Sequence, residues 1–421
     1  MSDQIAEFVV AEPQSISPEA EQNAAVSRQL RSNQKVAIVH DWFPFFRGGE
    51  RVVAELCRQF RVTDIFTLLN FLKRGEVEEN FPNVSIHTSP VDRLPFIKKY
   101  YRSLSFLYPT LIEQFDVTQY DTVISSSAAF SRGIITRPDQ PHLCYVHSPA
   151  RYAWDEQFSY LNQARLGFGP KGILVRCFLH QLRTWDARTA HGPDLILANS
   201  TYVRARIRQI YGRTARVVFP PVSLDEVEYV PKKNSYYVAA SHLVAYKRMD
   251  LVVQAFNRMP CRRLMVVGEG PQLQELRRIA GSNITFLGHL PRRQYLHTIA
   301  CARAMVFAGC EDFGITLAEA QASGTPLIAF SRGGARDIVR PLGESGSPSG
   351  VLFDRQSAET ITDAVKHFET NCDRIKPESC RNNTFRFSVD RFRREIEEAF
   401  NSAIALNKRR NAIHSTHEFR L

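Results

Sequence analysis

The chain lacks most of the sequence patterns that place a protein in a specialised structural class. Its eight cysteines are scattered and none forms a C-x-x-C pair, so they indicate reduced thiols of a cytoplasmic protein and not a disulfide or zinc framework. No apolar run approaches the length of a membrane span, so no membrane helix is expected. Residues 1–33 are polar and lack the apolar core of a signal peptide, which predicts a disordered leader.

Acidic residues are also in short supply. There are 43 aspartates and glutamates against 54 lysines and arginines, which gives a net charge of +11. Such a balance is typical of proteins that bind nucleic acid, an anionic membrane surface or an anionic substrate. The chain has no zinc-finger or RNA-binding signature, which disfavours nucleic acid as a partner. Its 421 residues, 44% of them hydrophobic, are enough for two globular cores.

The first clear unit is a strand followed by a glycine loop and a helix. Residues 35–40 form a short apolar strand, and after a loop Gly48 and Gly49 open a helical pattern that continues to Phe60. This order begins a doubly wound parallel sheet, in which ligands gather at the carboxyl ends of the strands. The two glycines would let a phosphate or a sugar approach the backbone closely. A tight turn without any ligand is the alternative.

Composition shifts along the chain predict the domain boundaries. Two prolines between Val217 and Val222 end the first domain, a polar linker follows, and a new strand begins at Tyr236. A charged helix comes last, before a polar end. The predicted organisation is a disordered leader (1–33), a first Rossmann-like domain (34–222), a linker (223–234), a second Rossmann-like domain (235–387), a C-terminal helix (388–407) and a loose tail (408–421).

The densest chemical pattern lies between Val306 and Val339. Glu311 and Glu319 flank a turn at Gly314 and the start of a helix predicted over residues 315–322. The free backbone N–H groups predicted around Ile315 to Leu317, at the start of this helix, would form a ready anion site. Two carboxylates beside a phosphate cradle suit a nucleotide-sugar donor. The alternative is that both glutamates are solvated charges, because acids are favoured at helix starts in any protein.

At these residues the chain resembles the retaining GT-B glycosyltransferases of the family-four type, whose mark is this Glu-x7-Glu element. The match continues through Phe313-Gly314, Gly324-Thr325-Pro326 and Gly333-Gly334, and departs from many relatives at residues 335–337, where they have Pro-Glu. The resemblance extends from Lys35 to about residue 405. It implies an α/β protein of two doubly wound domains that face each other across a cleft, with a final helix that crosses back to the first domain.

The resemblance also implies roles for single residues. Glu311 would hold the sugar hydroxyls, Glu319 the ribose, and Lys247 the diphosphate. His147, at the carboxyl end of a strand, would contact the sugar from the first domain, although a lone histidine is more often structural. The implied catalytic residues are Glu311, His147 and Lys247, and the implied donor-binding residues are Gly48, Gly49, His242, Lys247, Arg248, Gly268, Phe313, Gly314, Ile315, Thr316, Leu317 and Glu319.

Two features qualify this donor site. Relatives carry an arginine where this chain has His242, so either His242 supplies a pH-dependent cation or Arg248 takes over from a neighbouring position. Gly268-Glu269-Gly270 resembles half of a dinucleotide fingerprint and lacks its third glycine, so it is a weak signal. No Asp-x-Asp motif occurs, so we expect no metal at the diphosphate and no cofactor apart from the nucleotide sugar.

A narrower resemblance concerns the substrate. Residues 145–155 are similar to those of bacterial mannosyltransferases that build O-antigen or exopolysaccharide. This implies GDP-mannose as the donor, a lipid-linked saccharide as the acceptor, and a place in lipopolysaccharide or exopolysaccharide biosynthesis. The alternatives are a different nucleotide sugar such as a UDP-hexose, a sugar-nucleotide epimerase of GT-B shape, and, from charge alone, a nucleic-acid-binding protein.

A basic and aromatic run between Val91 and Phe115 is the last feature. It mixes cations with aromatic rings along a predicted helix, a pattern typical of a membrane surface or a lipid-linked acceptor. A cytoplasmic protein that docks on the anionic inner face of the membrane would fit it. A surface helix whose aromatic side chains point into their own core is an equally good explanation. The residues concerned are Phe96, Lys98, Lys99, Tyr100, Tyr101, Arg102, Phe106 and Tyr108.

Overall fold

The computed structural model describes residues 34–344 and 346–417, so the predicted leader (1–33) lies outside the described residues. In this part of the chain, the strands form two parallel sheets with the same winding. The first has the order β3-β2-β1-β4-β5-β6-β7. Its strands are β1 (Val36–His40), β2 (Asp64–Thr67), β3 (Ser85–Thr88), β4 (Thr122–Ser127), β5 (His142–Val146), β6 (Leu195–Ala198) and β7 (Arg216–Val217).

The second sheet has the order β10-β9-β8-β11-β12-β13. Its strands are β8 (Tyr237–Ala240), β9 (Leu264–Val267), β10 (Ile284–Gly288), β11 (Ala304–Phe307), β12 (Leu327–Phe330) and β13 (Gly350–Phe353). In both sheets the strand order reverses beside the first strand, at β1/β4 and at β8/β11. The prediction of two doubly wound α/β domains is confirmed, and ligands are expected at these two reversal points.

Helices cover both faces of each sheet, which explains why most central strands are apolar runs and not alternating patterns; β4 instead ends in three buried serines. All of β1, β4 and β5 is buried, as are β8, β11 and β12. The helices of the first domain are α1 (Gly48–Phe60), α2 (Arg74–Asn80), α3 (Ile97–Tyr100), α4 (Tyr108–Glu113), α5 (Gln157–Gln163), α6 (Pro170–Thr189) and α7 (Thr201–Tyr211).

The second domain contributes α8 (Met249–Asn257), α9 (Leu273–Ile279), α10 (Arg292–Ala300), α11 (Ile315–Ala322), α12 (Ala335–Ile338), α13 (Ala358–Thr370) and α14 (Pro377–Asn383), and the chain continues into α15 (Val389–His417). Within the described residues, none of these helices is both long and apolar enough to cross a membrane.

Helix α15 returns to the first domain. Its buried Phe392, Ile396 and Phe400 pack in one cluster with residues of β1 and β5. The prediction that the helix ends at residue 407 and that a loose tail begins at 408 is wrong as far as His417. Helix continues because residues beyond 407 still bond to the first domain: Arg410 pairs with Asp194 at 2.9 Å and also reaches the carbonyl oxygen of Pro138.

The basic and aromatic run is not one helix. It forms a 3-10 turn over Pro90–Arg93, the single turn of α3, a second 3-10 turn over Tyr101–Leu104, and α4. Pro95 and Pro109 interrupt the pattern, because proline cannot continue a helix from within. The segmentation divides the aromatic residues between two environments: Tyr108 is buried, whereas Phe96 is 79% exposed.

Candidate active site

Two helix N-termini meet at the cleft, one from each domain. Helix α1 begins at Gly48, after β1, and α11 begins at Ile315, after β11. They come so close that a Cβ atom on Gly48 would lie 2.6 Å from Cδ1 of Ile315. Any larger residue at position 48 would therefore have to displace the end of the Ile315 side chain. The arrangement gathers two sets of helix-start amides and their positive partial charge in one place.

The turn before α11 decides which amides are open. Gly314 caps the helix in the left-handed region, with φ +94°, and its carbonyl oxygen accepts a hydrogen bond from the amide of Leu317 at 2.9 Å. The prediction that the amides from Ile315 to Leu317 are all free is wrong for Leu317. Within the part of the chain that the structure describes, no acceptor reaches the amides of Ile315 and Thr316.

Lys247 and Glu311 form an ion pair beside these amides. Lys247 comes from the turn after β8 and Glu311 from the loop after β11, so the reversal point of the second sheet brings them together. Their side chains are 12% and 22% exposed. Burial lowers the pKa of Lys247 to about 7; Arg151 and Arg47 lower it further and Asp312 opposes them. The pair is thus partly open, and an incoming anion could take the place of Glu311 beside Lys247.

Arg248 and His242, the two side chains predicted to replace the arginine of the relatives, have different surroundings. Arg248 is paired with Asp250 of its own helix, at 3.3 and 3.2 Å, and has a left-handed φ of +52°. The structure therefore does not bring the Arg248 guanidinium to the Lys247–Glu311 pair. His242 is exposed to solvent. The cations whose charge acts on Lys247 are Arg151 and, to a smaller extent, Arg47 in the loop before α1.

Glu319 is held in another way. It is only 4% exposed, and Arg292 donates to both of its carboxylate oxygens, at 2.5 and 3.0 Å. Arg51 of the first domain adds a contact across the cleft at 3.1 Å. Near it, the hydroxyl of Tyr295 donates to Thr316 at 3.1 Å. The Glu319 carboxylate is therefore held in place by its arginine partners, whereas Glu311 could exchange its contact with Lys247 for a contact with a ligand.

For three other predicted donor residues, the packing around them explains the residue type at that position. Gly268 has φ +132°, and a Cβ atom there would lie 1.9 Å from the carbonyl oxygen of Ser241. Phe313 is 3% exposed, and its ring contacts Phe219 and Phe387 at centroid distances of 5.8 and 5.4 Å. The side chain of Leu317 is buried as well. The side chains of Phe313 and Leu317 thus belong to the core, and the contact of these residues with the donor stays a prediction.

His147 lies on the other side of the cleft, directly after β5. Its ring faces the glycine loop, because a Cβ atom on Gly49 would lie 3.7 Å from Cε1. The hydroxyl group of Ser126 lies 2.8 Å from Nε2. Burial lowers the pKa of His147 to about 3, with His40 lowering it further, so the ring is neutral. The structure therefore places the His147 ring beside Gly49, with the Ser126 hydroxyl group as its polar partner.

Sequence analysis missed the acid that holds this side of the cleft. Asp41, directly after β1, accepts hydrogen bonds from four successive amides, those of residues 128–131, at 2.5 to 2.9 Å. It thereby fixes the loop after β4. A carboxylate at the carboxyl end of a strand is a local signal that could have identified Asp41.

A second missed group joins the two domains. Arg151 contacts Asp312 with two nitrogens, at 3.1 and 2.9 Å, and Arg206 contacts the same carboxylate at 3.2 Å. Thr201 donates to Asp337 from its amide and its hydroxyl, at 2.8 and 2.6 Å. These contacts hold the loop of Glu311 against the first domain. No local pattern reveals them, because the partners lie more than a hundred residues apart in sequence.

Comparison with known proteins accounts for both domains. Residues 46–226 match the family model "Glycosyltransferase Family 4", and residues 224–387 match "Glycosyl transferases group 1". A GDP-mannose-dependent alpha-(1-6)-phosphatidylinositol monomannoside mannosyltransferase of Mycobacterium tuberculosis is 27% identical over 218 residues, which are 44% of this chain and 55% of the relative. A monoacylated-substrate counterpart in Corynebacterium glutamicum is 34% identical over 203 residues, 41% of this chain and 52% of the relative.

The chain spans about half the length of the curated relatives it matches. Among solved structures, HepE of Anabaena in complex with UDP and glucose has a TM-score of 0.64 at 14% identity, over 88% of this chain and 100% of its own. Sucrose-phosphate synthase of Thermosynechococcus elongatus has a TM-score of 0.67 at 18% identity, over 89% and 100%. These likenesses show the fold. The first domain thus matches a family 4 glycosyltransferase model and the second a group 1 glycosyltransferase model, and together they have the fold of the GT-B glycosyltransferases.

Proposed function

We propose that the protein is a retaining, metal-independent mannosyltransferase that moves mannose from GDP-mannose to a lipid-linked saccharide. The observation that carries the proposal is the Lys247–Glu311 pair beside the open amides of Ile315 and Thr316. A cation with a lowered pKa and unsatisfied N–H groups in one half-buried place suit a diphosphate that must leave with its negative charge. Mannose is supported by the relatives, which are GDP-mannose-dependent enzymes.

The chemistry follows from the arrangement. The bond between the sugar carbon and the diphosphate breaks, its electrons go to the phosphate oxygen, and Lys247 with the two amides stabilises the charge that grows there. Glu311, released from Lys247, accepts hydrogen bonds from sugar hydroxyls and orients the ring. The acceptor hydroxyl then attacks on the face that the phosphate leaves, which retains configuration. Its proton goes to the departing phosphate.

The donor can be identified by direct titration. We expect calorimetry to show tighter binding of GDP than of UDP, and incubation with a panel of nucleotide sugars to show slow hydrolysis of GDP-mannose. Tighter binding of UDP would replace the donor assignment with a UDP-hexose. A new sugar nucleotide formed without any acceptor would indicate the epimerase alternative.

Substitutions at two adjacent cations test the site itself. Lys247→Gln should remove most of the affinity for GDP, because it deletes the cation at the proposed phosphate position. Arg248→Gln should have a small effect, because that guanidinium pairs with Asp250. If Arg248→Gln proves as costly as Lys247→Gln, Arg248 is the substitute for the missing arginine after all.

The first domain offers a surface for the membrane that carries a lipid-linked acceptor. Phe96 is 79% exposed among Lys98, Lys99 and Arg102, and residues 93–112 contain no acid. A second exposed segment has the same chemistry: residues 157–185 contain no acid and four arginines or lysines, and Phe168 is 82% exposed. Cations beside exposed aromatic rings suit an anionic lipid surface.

Vesicle binding tests this docking, which would place the protein at the inner face of the cytoplasmic membrane. We expect sedimentation with phosphatidylglycerol vesicles, and release when Lys98, Lys99 and Arg102 are all changed to Gln, because each cation near such a surface contributes about 1 kcal/mol. The matched control changes three exposed cations of the second domain, Arg263, Arg277 and Arg278. Equal sedimentation of both triple variants would contradict docking through the first domain.

A further inference from the structure

Two histidines and a serine form a chain of contacts beneath the first domain's side of the cleft. His40 ends β1, Ser126 lies in β4 and His147 follows β5, and these strands are neighbours in the sheet. Nδ1 of His40 lies 3.0 Å from the carbonyl oxygen of Ser126 and 3.2 Å from its hydroxyl oxygen. That hydroxyl oxygen lies 2.8 Å from Nε2 of His147. His40 is 4% exposed and Ser126 0%, so water does not compete for these contacts.

The direction of donation follows from the carbonyl group. A carbonyl oxygen can only accept, so Nδ1 of His40 carries a hydrogen, whatever the state of its other nitrogen. The Ser126 hydroxyl oxygen accepts from this same N–H and has one hydrogen of its own to donate. Nε2 of the neutral His147 lies in its reach. The hydroxyl oxygen has two lone pairs, but if it also accepted from Nε2 its own buried hydrogen would have no acceptor among the described residues. Nε2 therefore accepts, and the hydrogen of the His147 ring is on Nδ1.

We propose that Ser126 is a positioning residue that fixes His147 as the tautomer with its hydrogen on Nδ1, so that the ring presents an N–H donor to an oxygen of the transferred sugar. A Cβ atom on Gly49 would lie 3.7 Å from Cε1, 3.8 Å from Nε2 and 4.0 Å from Nδ1, so the ring lies beside the glycine loop with Cε1 nearest. Because Ser126 occupies Nε2, Nδ1 is the ring nitrogen left for a ligand. The opposite tautomer would present a lone pair there and could only accept from a sugar hydroxyl. The part that concerns the sugar rests on the proposed function.

The chain contains a matched control in the preceding residue. Ser125 lies in the same strand, is equally buried, and its hydroxyl oxygen lies 2.8 Å from Nε2 of His142. Successive residues of a strand point to opposite faces of the sheet, so the two serine hydroxyl groups have different partners. The partner of Ser125, His142, is the first residue of β5, at the end of the strand away from the cleft. Ser125→Ala and Ser126→Ala therefore each delete one hydrogen bond between a serine hydroxyl of the same strand and Nε2 of a histidine. The two variants differ only in which histidine loses its partner.

The experiment labels the full-length protein with 15N-histidine and determines the tautomers by NMR, with His147→Asn to assign the signals. We expect a pyrrole-type Nδ1 and a pyridine-type Nε2 at His147 in the wild type. Ser126→Ala should move His147 toward the Nε2–H tautomer and lower kcat about tenfold, the scale for losing one buried hydrogen bond, at unchanged donor KM. Ser126→Thr, which keeps the hydroxyl, should restore both. Ser125→Ala should leave the His147 signals and kcat unchanged.

The outcomes separate this inference from the proposed function. A pyrrole-type Nε2 at His147 in the wild type would overturn the tautomer assignment. An unchanged His147 tautomer in Ser126→Ala, or a kcat equal to that of Ser125→Ala, would overturn the role of Ser126. If the tautomers follow the expected pattern while the wild type transfers no sugar, the positioning by Ser126 stands and the proposed function fails.

Discussion

Two ion pairs in this molecule, one in the core and one at the cleft, have opposite characters. Arg132 and Asp186 lie in the core of the first domain, and both side chains are 0% exposed. Asp186 also accepts from Trp154 at 2.7 Å and from Tyr211 at 2.9 Å, so it has several fixed partners. Lys247 and Glu311 lie at the cleft and remain 12% and 22% exposed.

The difference shows how to tell a structural pair from a functional one. Charges in a core must be paired, because an unpaired one has no water to compensate it. At the cleft, Lys247, whose pKa burial lowers to about 7, has a partly exposed partner in Glu311 that an incoming anion could replace. The first pair should therefore control the free energy of unfolding and the second should control turnover. Four changes test this contrast.

The largest expected effect is on stability at the core pair. Asp186→Asn should lower the free energy of unfolding of the first domain by about 3–5 kcal/mol, because it leaves the Arg132 charge buried without a partner. Urea denaturation followed by tryptophan fluorescence reports this domain alone, since the three tryptophans, Trp42, Trp154 and Trp185, all lie in it. Asp139→Asn breaks an exposed pair with Arg137 and should leave the free energy of unfolding nearly unchanged. Equal losses in the two variants would refute the contrast.

The next effect is on turnover at the cleft pair. Glu311→Ala should lower kcat by about 10²-fold, the scale for one preorganised electrostatic contact, with circular dichroism and the urea midpoint unchanged. The reason is that Glu311 orients the sugar and is not needed to hold the core. A folded Glu311→Ala protein with wild-type turnover would mean that this carboxylate is a solvated charge at a helix start.

A smaller effect is expected at Glu319, whose partners resemble those of the core pair. Glu319→Ala should raise the donor KM about tenfold and leave kcat nearly unchanged, because a fixed carboxylate that grips the ribose acts in binding. Arg51→Gln removes only the contact across the cleft and leaves Arg292 in place. If Arg51→Gln alone reproduces the KM change, Glu319 acts by joining the domains and not by holding the ribose.

The smallest effect is on pH dependence. An anionic diphosphate favours the charged form of Lys247, so donor binding should raise a pKa that starts at about 7 and should take up a fraction of a proton between pH 7 and 8. Affinity should fall several-fold as the pH rises from about 7 to 8, because more unbound protein is then deprotonated. Calorimetry in two buffers of different ionisation enthalpy measures the uptake. Lys247→Arg, which stays charged, should abolish it, and equal uptake in both proteins would exclude Lys247 as the source.

The sequence predicts what is local in this fold. Helix α11 has the bounds expected from its composition and from the glycine before it, Ile315–Ala322, because cap, helix formers and stop signal all lie within a few residues. The apolar runs of the strands are equally local, so the two sheets and their winding follow. The carboxyl ends of β1 and β11 then locate the cleft and its glycines.

The rest depends on contacts that the sequence does not encode locally. Asp312 looks like an ordinary turn residue until Arg151 and Arg206 reach it from the other domain. The end of α15 depends on Arg410 finding Asp194, far away in the chain. Phe313 matches a donor-site motif, yet packing against Phe219 and Phe387 turns its ring into the core. In each case a tertiary partner decides what the local pattern leaves open.

The return of α15 to the first domain has a consequence for how the chain folds during synthesis. Residues of β1 and β5 share a buried cluster with Phe392 and Phe400, which the ribosome makes only after the whole second domain. At roughly 5–20 residues per second, this face of the first sheet waits on the order of ten seconds or more for its cover. During that interval an apolar surface is exposed on a nascent chain, which makes the first domain a client for chaperones until α15 emerges.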